Sequence, residues 1–130
     1  MSPLLFRGAA ARVWFRSRPT DLRLGFRGLA GLVQTEFHRN PRSGDLFVFV
    51  NRRRNAIRIL FADSTGLCLF AKKPSSGCFR DLFGASGSTS SPLELTSAEL
   101  MLFLETVEAK SRRKRRQRTR KRRATSDSQC

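Results

Sequence analysis

The sequence predicts an α+β fold, a small antiparallel β-meander packed by a helix in the N-terminal half and by a C-terminal helix, with a disordered basic tail behind it. Three observations carry that expectation. The apolar runs Leu46-Phe47-Val48-Phe49-Val50 and Ile57-Arg58-Ile59-Leu60-Phe61 flank Asn51-Arg52-Arg53-Arg54-Asn55, the pattern of a β-hairpin with three arginines at its tip. Apolar residues at three- and four-residue spacing lie on both sides of that hairpin. From Lys110 to Arg123, 11 of 14 residues are basic and none is apolar, so this segment cannot bury enough surface to fold alone. The expected organisation is one small domain over residues 1–109 and a tail over 110–130.

Ala11 to Arg16 alternates weakly around Val13 and Phe15, with Trp14 on the opposite face, which predicts a short strand. Thr20 follows Pro19 and precedes Asp21, so the hydroxyl is placed to cap a helix and the acid to favour its positive end. Leu22, Phe26, Leu29, Leu32, Val33 and Phe37 then form one apolar stripe through about residue 38. Gly25, Gly28 and Gly31 each cost roughly 1 kcal/mol of helix propensity relative to alanine, and the expectation is that they let another element pack closely. Asn40-Pro41-Arg42-Ser43-Gly44-Asp45 ends the helix and turns the chain.

Strands are predicted near 46–50, 57–62 and 67–72, joined by short turns that make sequence neighbours pair antiparallel. In the third strand Leu67, Leu69 and Ala71 share one face and Cys68 and Phe70 the other, with Lys72 and Lys73 at its end. Those lysines join the arginine tip only if strand directions allow. Ala85 to Pro92 reads as a flexible connection rich in serine and threonine. Thr96-Ser97-Ala98-Glu99 has the spacing of a capping box, and Leu100, Phe103, Leu104 and Val107 form the stripe of the last helix.

Lys and Arg total 26 against 10 Asp and Glu; residues 110–130 hold 11 basic and 1 acidic, leaving 15 and 9, so tail and body carry +10 and +6. Both parts attract a polyanion. Arg52, Arg53, Arg54, Arg58, Lys72 and Lys73, with Arg112, Arg113, Lys114, Arg115 and Arg116 of the tail, are therefore the candidate phosphate contacts. The plainer reading is a solvated turn that guards the hairpin against edge pairing, with a solvating tail. Asp21, Arg23 and Phe26 are candidate partner-binding residues, beside the plainer reading of a helix cap with a surface ion pair.

Cys68, Cys78 and Cys130 are odd in number and lack CxxC spacing, and His38 is the single histidine, which predicts neither a disulfide framework nor a zinc site and suits a reducing cytoplasm. No apolar run approaches the 18 or so residues of a membrane helix, and Arg7 interrupts the apolar N-terminus. The basic, acid-free first 18 residues also suit a transit peptide. Asp21, Asp45, Asp63 and Asp81 fall in separate turns, an arrangement unsuited to shared metal coordination. No glycine-rich phosphate loop or nucleophile with a base accompanies them, so neither enzyme, metal, cofactor nor small-molecule substrate is expected.

Val13-Trp14-Phe15, Thr20-Asp21-Leu22-Arg23, Gly25-Phe26 and Gly28-Leu29, followed by Leu32-Val33-Gln34, resemble the opening motif and first helix of the TnpB accessory proteins of bacterial insertion sequence 66 elements. Pro41, Ser43-Gly44 and Leu46-Phe47-Val48-Phe49 are similar to that family's turn and strand, and Asn51 with Arg52-Arg53 to its basic hairpin. Ile57, Leu60, Asp63, Gly66-Leu67-Cys68-Leu69-Phe70 and Lys72 continue the likeness, which closes with Leu95-Thr96 and Glu99-Leu100. It spans roughly residues 12–107, with departures at Ser17-Arg18, Pro74-Ser75 and Asp81-Leu82.

The resemblance implies a non-enzymatic accessory factor, encoded beside a separate transposase, that supports transposition by binding transposon-end DNA, the transposase, or both. Its place would be the bacterial cytoplasm, on the nucleoid when bound to DNA. The alternatives are a protein-interaction module whose basic surface is incidental, and a general RNA-binding basic protein.

Overall fold

Leu46–Val50 is apolar at every position, and a strand of that kind is stable only where both of its faces are covered. The computed structural model, which describes residues 11–82 and 92–109, places it so: all of its side chains are buried. The elements run β1 (Val13–Phe15), a 3-10 turn (Leu22–Leu24), α1 (Gly25–Thr35), β2 (Leu46–Val50), β3 (Ile57–Ala62), β4 (Leu67–Lys72), β5 (Cys78–Phe79), β6 (Leu93–Leu95), α2 (Ser97–Glu105) and β7 (Val107–Glu108).

Five strands form the main sheet in the order β4-β3-β2-β1-β6. The expected meander is present, since β2 pairs antiparallel with β3 and β3 with β4. The first strand completes the sheet differently. It lies parallel to β2, with Val13 opposite Leu46 and Phe15 opposite Val48, and antiparallel to β6. The intervening α1 permits this parallel return, which a short turn could not make. β5 and β7 form a second, two-stranded sheet. The fold is α+β with a mostly antiparallel sheet between two helices.

Strand alternation sorts the core into two layers. Trp14, Phe47, Phe49 and Leu60 meet Leu29, Val33 and Phe37 from α1 and the residues after it. Val13, Phe15, Leu46, Val48, Val50, Ile57 and Ile59 meet Leu100, Phe103 and Leu104 of α2, together with Phe79 of β5. Phe37 packs edge-to-face on Phe47 at 5.5 Å and on Phe49 at 5.7 Å, the geometry favoured by aromatic quadrupoles. Leu67 and Leu69 join the α1 layer and Phe70 the α2 layer, as their alternation predicts.

Several local expectations change. Thr20 is buried and does not cap the helix: its hydroxyl accepts from Arg16 Nη1 at 3.2 Å, while its backbone N–H donates to Val50 O at 2.9 Å. Asp21 caps the 3-10 turn, accepting from the Arg23 N–H at 3.1 Å, and α1 itself has no side-chain cap. The helix is also not continuous from residue 20, because Gly25 has φ +71 between the 3-10 turn and α1.

The expected close approach occurs at Gly28, where the preceding 3-10 turn comes near, and not at Gly31. A Cβ on Gly28 would meet Leu24 of the preceding turn, and one on Gly31 would meet nothing. At the other end of the chain, the capping box forms between Thr96 and Glu99, but α2 stops at Glu105, and Val107 lies in β7 instead of on the helix stripe. The predicted connection over 85–92 and the tail from 110 lie outside the described residues, apart from Pro92. Cys78 is fully buried and disulfide-bonded, against the expectation of unpaired thiols, and Cys68 is a free thiol.

Substitution of Phe37 by Ala should lower stability by about 3–5 kcal/mol in urea denaturation, since it removes the ring that both β2 phenylalanines pack on. Gly31→Ala should raise it by up to about 1 kcal/mol. The Asp21 carboxyl lies at about 2, down from its ordinary 3.8, chiefly because it accepts from the Arg23 side chain and secondly from the Arg23 N–H. A lowered carboxyl stabilises the fold above its unfolded value, so this contribution should fade as pH falls from 3.8 through about 2. Carbon-detected NMR titration should find that midpoint, and Arg23→Gln should move it upward.

Candidate nucleic-acid interface

The arginine tip is held by asparagine side chains. Asn51 Oδ1 accepts from the N–H groups of Asn55 at 3.0 Å and Ala56 at 3.2 Å, and its Nδ2 donates to Asn55 Oδ1 at 2.7 Å. A turn hydrogen bond from Arg54 N–H to Asn51 O at 3.0 Å closes the loop around Arg52 and Arg53. Both of those residues are exposed, so the loop presents two guanidinium groups on a backbone ordered by its own flanking residues.

Strand direction does bring the lysines to this end. Ile57 pairs with Lys72, so Lys72 and Lys73 finish β4 where β3 begins, beside the hairpin loop. Arg80 arrives there too: Phe79 donates its N–H to Arg54 O at 2.8 Å, and the next residue is exposed. The basic end of the sheet therefore carries Arg52, Arg53, Lys73 and Arg80. Asp45 at the start of β2 and Asp63 in the β3–β4 turn lie at the opposite end. There Trp14 Nε1 donates to Asp45 at 3.2 Å, and the Trp14 ring stacks under Arg39 at 3.9 Å. Asp63 is turned inward on its own loop, its carboxyl lowered by the N–H groups of Thr65 and Gly66.

Three of the sequence candidates are engaged by the fold. Arg54, in the left-handed region at φ 60, donates from Nη1 to Phe79 O at 3.0 Å and lies 3.9 Å from Glu108. Lys72 Nζ donates to Leu104 O at 2.7 Å, placing a cation on the carbonyl end of α2, where the helix dipole is negative. Arg58 is half-buried on the α1 face and donates to Ile57 O at 3.1 Å. Arg112, Arg113, Lys114, Arg115 and Arg116 lie outside the described residues. The described chain ends close to the tip, however, because β7 pairs with β5 and Glu108 stands opposite Cys78.

The candidate partner-binding residues are at the entry to α1. Arg23 clasps Asp21 with two side-chain bonds, Nε to Oδ1 at 3.0 Å and Nη2 to Oδ2 at 2.9 Å. Phe26 is 49% exposed and Leu24 43%, two large apolar groups close together at this entry. Sequence patterning singles out neither Leu24 nor Arg80. Each sits beside a break that periodicity does not register, a glycine at positive φ in one case and a two-residue strand in the other.

Among the described residues no group of three or more histidines, cysteines or carboxylates is placed to hold a metal ion. No helix of the described residues is long and apolar enough to cross a membrane. Arg54→Ala should cost about 1–3 kcal/mol in chemical denaturation by leaving the Phe79 carbonyl without its charged donor, while Arg52→Ala should stay within about 0.5 kcal/mol of the parent.

Comparison with known proteins places the chain in a family. A family model described as IS66 Orf2-like protein matches residues 11–114, which includes every element above. Two curated proteins of Sinorhizobium fredii (strain NBRC 101917 / NGR234) are similar to the chain. One, described as uncharacterized protein y4hO, is 40% identical over 76 residues, 58% of this chain and 66% of its own length. The other, uncharacterized protein y4jC, is 35% identical over 68 residues, 52% of this chain and 58% of its own length. The matched stretch thus spans less than two thirds of either relative. No solved structure matches. The chain belongs to the IS66 Orf2-like family, the TnpB accessory proteins of a transposable insertion element.

Proposed function

We propose that this protein supports transposition without chemistry of its own, by binding the DNA of the element ends and working beside the transposase. The observation that carries the reading is the gathering of Arg52, Arg53, Lys73 and Arg80 at one end of the sheet. Each arginine can meet phosphate oxygens through its planar fork, and each neutralised phosphate releases counterions. The 11 basic residues of 110–130 follow β7 in sequence and add charge that attracts any polyanion.

A second contact is favoured by Leu24 and Phe26, whose exposed apolar area at the start of α1 suits the transposase better than it suits DNA. Replacing both with Ser should then abolish transposase capture while circular dichroism stays unchanged. Charge reversal at Arg52 and Arg53 should leave capture intact.

The DNA reading is tested with the full chain on element-end and scrambled duplexes across a salt series. The parent should bind with a steep negative slope of log affinity against log salt. Changing Arg52, Arg53, Lys73 and Arg80 to Gln should flatten that slope by about 0.9 for each phosphate that is no longer neutralised. If the slope moves only when the tail is neutralised, and neither form discriminates between duplexes, the sheet end has no part in binding DNA. A chain that shifts no DNA at low salt and captures no transposase would overturn the whole reading.

A further inference from the structure

The two edges of the main sheet are unequal. β6 is three residues long and carries Glu94, which is clasped by Arg12 at 2.9 Å. β4 is six residues long, and among the described residues β3 is its single neighbour. Its pairing with β3 runs from Ile57–Lys72 to Ala62–Leu67 without a bulge. Proteins commonly guard such an edge with a charge, a proline or a bulge. Here Leu67 to Ala71 is uncharged and free of glycine and proline. The one charge on the strand, Lys72, is bound to the carbonyl end of α2. Leu67, Cys68, Leu69 and Phe70 are each half-buried, and Ala71 is exposed, so apolar side-chain area remains along both faces of the edge.

We propose that β4 is the dimer interface of this protein, pairing antiparallel with β4 of a second copy to give a continuous ten-stranded sheet. The occupant follows from the strand itself. An uncharged strand meets its own copy without repulsion, and a two-fold axis normal to the sheet makes one edge the complement of the other. Opposed residues must share a face, so the axis passes through a residue and not between two. With the axis at Leu69, Leu67 faces Ala71 of the second copy and Cys68 faces Phe70, while each Lys72 faces Gly66 and is kept from its counterpart. Every central pair is then apolar.

The consequence for the molecule is geometric. Lys73 and the arginine hairpin finish at the same end of β4, so antiparallel pairing sends the two basic ends to opposite poles of the dimer. Two such poles suit the bridging of two DNA segments. That corollary rests on the DNA-binding reading, whereas the dimer itself does not.

The test is sedimentation equilibrium of the full chain, 14.7 kDa as a monomer, from about 1 μM to 1 mM. Salt is held near 0.3 M, where the Debye length is below about 8 Å and repulsion between tails is screened. The expected result is a concentration-dependent dimer. Ala71→Lys, on the exposed position, should weaken it by about tenfold or more without changing the thermal melt. Ser64→Lys adds the same charge in the exposed β3–β4 turn and should leave the dimer intact. Leu69→Cys in a Cys68→Ser background should cross-link through residue 69 on mild oxidation, and hydrogen exchange along β4 should slow as concentration rises. A monomer throughout the range overturns the proposal, and so does a dimer indifferent to Ala71→Lys. DNA binding is scored separately, so either result leaves the reading of the basic end to its own test.

Discussion

The structure depends on the burial of β2 from both sides. A strand reading Leu-Phe-Val-Phe-Val has no face that water can wet, so it must lie inside a sheet with a layer on each side. The fold meets this requirement in sequence order. β1 and β3 occupy its two edges, α1 covers Phe47 and Phe49, and α2 with β5 covers Leu46, Val48 and Val50. Burying each of these side chains contributes about 1.5–3 kcal/mol, comparable in sum to the net stability of a small domain. The parallel pairing of β1 belongs to the same constraint: the β3 side of β2 is filled by the hairpin partner, so the remaining edge goes to the strand that precedes α1.

Burial of both sheet faces decides where charge can go. Two basic side chains near the α2 layer are turned to structural use. Arg54 ties the hairpin to the Phe79 carbonyl, and Lys72 caps α2. The first, with the Phe79 N–H bond to Arg54 O, fastens the small β5–β7 sheet to the hairpin, and the second fastens the end of β4 to α2. Gly77 allows the approach, since its φ of +79 and lack of Cβ leave room for the Glu108 carbonyl. Glu108, near the end of the described residues, is thereby held close to the hairpin by packing, independent of any attraction to DNA.

Much of the architecture is legible in the sequence because its signals are periodic. The meander, the two-faced alternation of β1 and β4, and the Thr96–Glu99 capping box all follow from spacing within single segments. What is not legible depends on distant partners. Nothing local tells a three-residue strand that its neighbour is parallel, or shows that Leu93–Leu95 will pair beyond it. Thr20 and Asp21 compete for one cap, and the long-range bond from Thr20 to Val50 decides between them. In the candidate site, Arg52 and Arg53 are identifiable from charge in a loop, but the inward turn of Arg54 depends on a carbonyl 25 residues away. The reach of Arg80 to the same end requires the β5 pairing, which two residues cannot announce.

The division between body and tail bears on what each can contribute to the proposed function. Counterion release is blind to base sequence, so under the proposed function the 11 basic residues of 110–130 would raise affinity for element ends and for every competing duplex alike. Discrimination requires donors held in fixed positions relative to base edges or groove width. In the proposed function the tip ordered by Asn51 and Asn55 would supply such donors, on a sheet whose core resists deformation. One tip spans few base pairs and gives little selectivity alone. Two tips fixed at opposite poles of a β4-paired dimer would each contact a separate duplex, so the dimer would contribute by joining DNA segments and would not lengthen the sequence read on either one.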